Sequence, residues 1–176
     1  NIQLAYNPIG KSGKQAWKRF QLMESFKHLH RNKRLDQVGK AFIGDFGFMV
    51  LLDFPFVSEL EVLDLRNNSL TDEAVIAFSH SQKFKSLISL NLSKNNITDA
   101  GAKALAKSQN LQGLRTLNLN FNRIGDEGAK SIAASPSLEK LESLKLGQNK
   151  IGVEGARALN ESENLKNLTH PIFGFY

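Results

Sequence analysis

The chain has 176 residues, of which 41% are hydrophobic and 23% charged, an ordinary composition for a globular protein. It has no cysteine, which excludes disulfides, thiolate metal sites and a cysteine nucleophile and leaves the redox compartment open. The net charge of +6 is uneven: residues 1–40 hold nine Lys/Arg against Glu24 and Asp36 (+7), and the remainder holds 14 basic against 15 acidic residues (−1).

No apolar run approaches the roughly 20 residues that span a bilayer. No signal peptide is visible, but the chain opens at Asn1 rather than Met, so an upstream segment could have been removed. Localisation stays open, with a soluble, cytoplasmic protein as one reading.

The first residues read as the tail of a repeat. Ile2, Leu4, Asn7, Ile9, Gly10 and Gly13 match letters that recur further on, so the chain is expected to begin inside a unit of something longer. Ala16, Trp17, Phe20, Met23, Phe26 and Leu29 then recur at three- and four-residue steps, which predicts an amphipathic helix about two turns longer than the later ones. Residues 33–59 read as a degenerate second unit. Ile43-Gly44-Asp45 and Gly47 repeat Ile124-Gly125-Asp126 and Gly128 at a separation of 81, and Pro55 matches Pro136. A helix is expected at Phe46–Leu52, with a strand near Leu35–Val38 whose register the letters leave undecided.

From Leu60 the units are regular. The pattern L-x-x-L-x-L starts at Leu60, Leu87, Leu114 and Leu141, a period of 27 without slippage. Asn68, Asn95, Asn122 and Asn149 follow each strand. Expected strands are Val62–Arg66, Ser89–Ser93, Thr116–Asn120 and Ser143–Gly147. Helices open at Asp72, Asp99, Asp126 and around Val153–Glu154, each aspartate being expected to cap its own helix. The tail Leu168–Phe173 keeps the leucine register, with Pro171 and Phe173 in place of leucines, and predicts a last strand.

A fixed period in the 20–29 range with this lettering marks a leucine-rich repeat. Alternate side chains of a strand face opposite ways, so Leu117 and Leu119 point inward while Thr116, Asn118 and Asn120 face out. A lone unit buries too little to hold itself, so neighbours must stack. The expected fold is an α/β solenoid, or horseshoe, of about five to six units, with parallel strands on the concave face and helices on the convex face. Residues 1–59 form the partial and degenerate units with a longer basic helix, and residues 60–176 the regular ones. The asparagine column reads as a structural ladder bonding the turn backbone of successive units.

Motif and period resemble the ribonuclease-inhibitor-like class of leucine-rich repeat proteins. The Gly-Ala-x-x-Leu-Ala lettering of Gly101–Ala106, echoed at Gly128–Ala133 and Gly155–Asn160, is similar to bacterial and effector-type GALA repeats. The resemblance covers Leu60–Phe173 well and residues 1–59 in patches. It implies a non-catalytic scaffold that binds a partner protein on its concave face, as part of a bacterial effector or host-interaction protein. The cysteine common in such repeats is missing and no F-box is visible, so a ubiquitin-ligase adaptor has no support. Regulation of an enzyme, such as activation of a GTPase, is the alternative from fold analogy. Binding of an anionic polymer through residues 11–34 is the alternative from charge.

Other patterns are weaker. Ala5–Ser12 satisfies a loose phosphate-loop pattern, yet Asn7, Ile9 and Gly10 are repeat positions and Pro8 removes an amide donor. His28 and His30 lie two apart and would leave a helix on different faces, and His80 and His170 are isolated, so no metal site follows. The run Lys27–Arg34 reads as a solvated face without an aromatic platform, which disfavours nucleic acid and anionic lipid as partners. No cofactor is indicated. Repeat register assigns the partner-binding residues: Asp64, Asn91, Asn118 and Lys145 in one outward row, Arg66 and Asn120 in the next, and Tyr6, Phe121, Gln148 and Phe175 at the strand ends. Phe121 is the sharpest candidate, because Lys94 and Gln148 hold its position in neighbouring units.

Overall fold

A computed structural model of the chain describes residues 11–26, 33–35, 43–170 and 172–173. Helix α1 (Lys11–Phe26) is followed by β1 (Arg34–Leu35) and α2 (Gly44–Leu51). Four units then alternate strand and helix: β2 (Val62–Asp64) and α3 (Asp72–His80), β3 (Ser89–Asn91) and α4 (Asp99–Lys107), β4 (Thr116–Asn118) and α5 (Asp126–Ala133), β5 (Ser143–Lys145) and α6 (Val153–Asn160). The strands form one parallel sheet in chain order, β1-β2-β3-β4-β5.

The leucine pattern builds this directly. Leu63, Leu90, Leu117 and Leu144 pair in register one period apart and are fully buried, as are the leucines that open each unit. Ala102 and Leu105 on α4, and Ala129 and Ile132 on α5, close the core from the helical side. Nearer the N-terminal end three aromatics fill the same space: Phe78 and Phe84 stack at 4.3 Å between centroids, with Phe48 6.5 Å from Phe84. Pro55 and Pro136 open equivalent short 3-10 turns, Pro55–Glu59 and Pro136–Leu138.

Several expectations shift. The strands hold three residues rather than five, although ladder-type bonds continue past them, from Leu65 N–H to Asn91 C=O at 2.8 Å and from Asn67 N–H to Ser93 C=O at 3.0 Å. The degenerate unit resolves as a single-residue difference. Leu35 pairs with Leu63, 28 residues on, whereas the Ile43 amide bonds Asn68 as the Ile97 amide bonds Asn122, both 25 apart. Between Leu35 and Ile43 the chain therefore carries one residue more than between Leu63 and Leu70, which is why the letters left the register of this strand undecided. Its helix spans Gly44–Leu51 instead of Phe46–Leu52.

The expected last strand is absent among the described residues, which form turns at Ile172–Phe173. Pro171 has no N–H for a ladder. Register nevertheless persists, through Thr169 N–H to Glu142 C=O (2.9 Å) and Leu146 N–H to Ile172 C=O (3.0 Å). Helix α1 has 16 residues against eight or nine in α3 to α6, the two extra turns expected. Its inward stripe is shifted, however: Leu22 and Met23 pack on the core, while Phe20 is 53% exposed. Lys18 lies 5.6 Å from the Phe46 ring centre and Arg19 pairs with Asp53, so these polar neighbours dock that side of the helix. No described helix is long and apolar enough to cross a membrane.

Candidate functional site

What can bind depends on what stacking leaves free. The asparagine column is consumed by the fold. Asn122 accepts the Ile97 amide at 3.1 Å and donates to the carbonyls of Leu92 and Leu119 at 3.0 and 2.9 Å. Asn68, Asn95 and Asn149 make equivalent bonds to adjoining units. Such a side chain satisfies backbone groups that tight stacking shuts off from water.

The helix-opening aspartates do something the sequence did not suggest. Each caps the helix of the next unit, not its own. Asp72 accepts from the Thr98 amide (2.8 Å), the Thr98 hydroxyl (2.6 Å) and the Gly101 amide (3.0 Å). Asp99 accepts from Gly125 and Gly128 at 2.6 and 2.9 Å, and Asp126 from Gly152 and Gly155 at 2.7 and 2.9 Å. Asp45 serves Thr71 in the same way. Thr71 and Thr98 also cap their own helices, but Gly125 and Gly152 have no side chain to do so, leaving α5 and α6 dependent on the preceding carboxylate. This geometry accounts for the Gly-Ala lettering. A Cβ on Gly128 would sit 2.6 Å from Asp99 Oδ1 and 3.0 Å from the Ala102 Cβ, and Gly101 and Gly155 are as tightly enclosed.

A third column went unread although its letters recur. Ser108, Ser135 and Ser162 each donate from the hydroxyl to a carbonyl at the end of the preceding helix, Ser79, Ala106 and Ala133. The signal was present as Ser81, Ser108, Ser135 and Ser162 at the 27-residue period.

The sheet's outward face remains. Asp64 is nearly buried, accepts the Arg66 amide at 3.0 Å and pairs with the Arg66 guanidinium at 2.6 Å, so these two candidates answer each other. Asn91 and Asn118 turn their oxygens back to the amides of Ser93 and Asn120, both at 3.0 Å, and Asn120 gives its oxygen to the Gly147 amide at 2.7 Å. Because an amide N–H fixes where each oxygen must lie, the NH2 groups of all three point away from those bonds. Lys145 is half-buried in the same row, and Gln148 is exposed at a strand end. Tyr6 and Phe175 lie outside the described residues, as do His28, His30 and residues 5–10 of the phosphate-loop lookalike.

Phe121 is 48% exposed at φ +56°, with the Lys94 ammonium 5.5 Å from its ring centre. Asn67, Lys94 and Gln148 share that left-handed conformation, so the turn imposes it on whichever residue stands there. A bulky aromatic is among the least suited to it.

The entry edge of the strands is closed by ion pairs. Lys33 bonds Glu61 at 2.8 Å, and that bond raises the lysine pKa above its ordinary value; Arg115 pairs with Glu142. Between them stands Ile88, 41% exposed. No group of three or more His, Cys, Asp or Glu among the described residues could hold a metal ion.

Residues 59–79, 85–106, 110–133 and 137–159, about half of the chain, match the family described as Leucine Rich repeat. The protein belongs to the leucine-rich repeat family. Among solved structures, this leucine-rich repeat chain is similar to the tropomodulin C-terminal domain of Caenorhabditis elegans, at 16% identity and TM-score 0.51 over 87% of this chain and 92% of that one. The leiomodin-1 actin-binding site 2 matches at 17% identity and TM-score 0.45, covering 86% and 87%. An internalin (inlF) of Listeria monocytogenes matches at 20% identity and TM-score 0.27, covering 63% and 43%. The first likeness shows a shared fold. No match is found among curated proteins.

Proposed function

We propose that this leucine-rich repeat protein is a binding scaffold that takes a protein partner on its concave face, with Phe121 at the strand ends as its aromatic anchor. One observation carries the reading: a half-exposed aromatic occupies a left-handed turn position that Asn67, Lys94 and Gln148 fill in the neighbouring units. A bulky side chain there disfavours the fold by about 1–2 kcal/mol, and strain of this kind concentrates at sites of function. Asn91, Asn118, Asn120 and Lys145 supply donors around the anchor, Gln148 flanks it, and Asp64 with Arg66 borders it. An aromatic anchor inside a polar surround is the usual composition of an interface centre.

The effector and host-interaction role draws on the Gly-Ala lettering. Close helix packing against the preceding aspartate accounts for those letters, so the support for binding comes from the concave face instead. Replacing Phe121 by Asn tests the proposal. The partner captured by the unaltered protein should bind the variant more than about tenfold more weakly while the variant's fold stays intact. Equal affinity for both proteins would remove Phe121 from the interface.

A further inference from the structure

The two rims of the concave face differ in charge. At the entry rim, basic and acidic residues pair on either side of Ile88, Lys33 with Glu61 and Arg115 with Glu142. At the exit rim, the turns 66–69, 93–96, 120–123 and 147–150 contribute Arg66, Lys94, Arg123 and Lys150, with no acidic residue among them. All four side chains are exposed. Arg66 is held by Asp64, and Lys94 lies over the Phe121 ring; Arg123 and Lys150 have no ion-pair partner among the described residues. The asparagines beside this rim each turn the oxygen to a backbone amide and keep NH2 donors pointing away from it. The surface around Phe121 thus offers cations and N–H donors, and the neighbouring Asp64 carboxylate is already paired with Arg66.

We infer that the occupant of this rim is an acidic protein segment, whose carboxylates meet Lys94, Arg123, Lys150 and the asparagine NH2 groups while an apolar side chain covers Phe121. This rests on the concave-face reading above and names the chemistry of its partner. Charge complementarity selects the class. With strands about 4.8 Å apart, the four turns extend over roughly 14 Å, the reach of about four or five residues of extended chain. A nucleic-acid strand fits less well. Its bases need a series of open aromatic faces, and here Phe121 stands alone on the rim among described residues, with Lys94 over its ring.

The test uses the full chain and three labelled probes followed by fluorescence anisotropy. These are a heptapeptide of Glu and Asp around a central Phe, its Ser/Gln counterpart, and an oligothymidylate of similar length. The acidic peptide should bind at least about tenfold tighter than the neutral one and weaken as salt screens the rim. The double variant Arg123→Glu/Lys150→Glu should lose that preference. Lys103→Glu/Lys107→Glu alters net charge equally on exposed positions of α4 and should leave binding within about twofold. Equal loss in both double variants, absence of peptide binding, or preference for the oligothymidylate overturns the inference. Neutral-peptide binding that Phe121→Ala removes but rim reversal leaves untouched also overturns the acidic occupant, while keeping the concave face as the binding surface.

Discussion

Phe121 joins two demands on one position. The turn requires a left-handed residue, which Asn accepts with little strain because its short polar side chain bonds locally. Phe121→Asn should therefore stabilise the protein by about 1 kcal/mol, raising the melting temperature in the same variant that loses its partner. An unchanged or lowered melting temperature would show that the ring contributes packing that outweighs the strain. Asn122 is the opposite case. Its replacement by Ala strands the buried Ile97 amide and removes one bond from each of the Leu92 and Leu119 carbonyls, which still accept from Asn95 and Asn149. Burying that amide unpaired costs about 1–3 kcal/mol, so chemical denaturation should report a loss of about that size. The period alone identified Asn122 as structural. It could not separate Asn118 and Asn120 into bonded oxygens and free NH2 groups, because that depends on where neighbouring amides point.

At the scale of elements, the aspartates couple each helix to the one before it. Asp99 belongs to α4, yet its carboxylate closes the N-terminus of α5. Asp99→Ala should therefore speed hydrogen exchange at the Gly125 and Gly128 amides of α5 while the amides of α4 stay protected. Faster exchange confined to α4 would return the aspartate to the role expected from its own helix. A Cβ at Gly128 meets that same carboxylate, so Gly128→Ala should destabilise by about 1–3 kcal/mol, measured as a shift in denaturation midpoint. At α6 the series stops: Val153 stands where Asp72, Asp99 and Asp126 would lead, and it is 75% exposed. The sequence showed the aspartates and the glycines separately. Their bond runs between residues 26 and 29 apart, a pairing that only stacked units bring together.

Over the whole molecule, stability is shared between neighbours because each unit contacts mainly the one before and the one after. Leu117 sits in β4, fully buried between Leu90 and Leu144. Leu117→Ala should lower the unfolding free energy by about 2–5 kcal/mol, and a denaturant curve would measure it. A smaller loss would mean that flanking units close over the gap. The same one-dimensional arrangement tolerates the extra residue between Leu35 and Ile43, because an added residue in one unit leaves the pairing of the others in place.

By itself the sequence determined the unit: its 27-residue period, its leucine core, its asparagine ladder and the alternation of strand and helix. These follow from side-chain periodicity and from the backbone groups that any stacked turn must satisfy, both of which repeat in the letters. Tertiary structure decided what passes between units. It set the direction of the aspartate caps, the 28-residue step into β1, the left-handed backbone beneath Phe121 and the unequal charge of the two rims. Each depends on distances between atoms about one repeat apart in the chain, and stacking alone sets those distances.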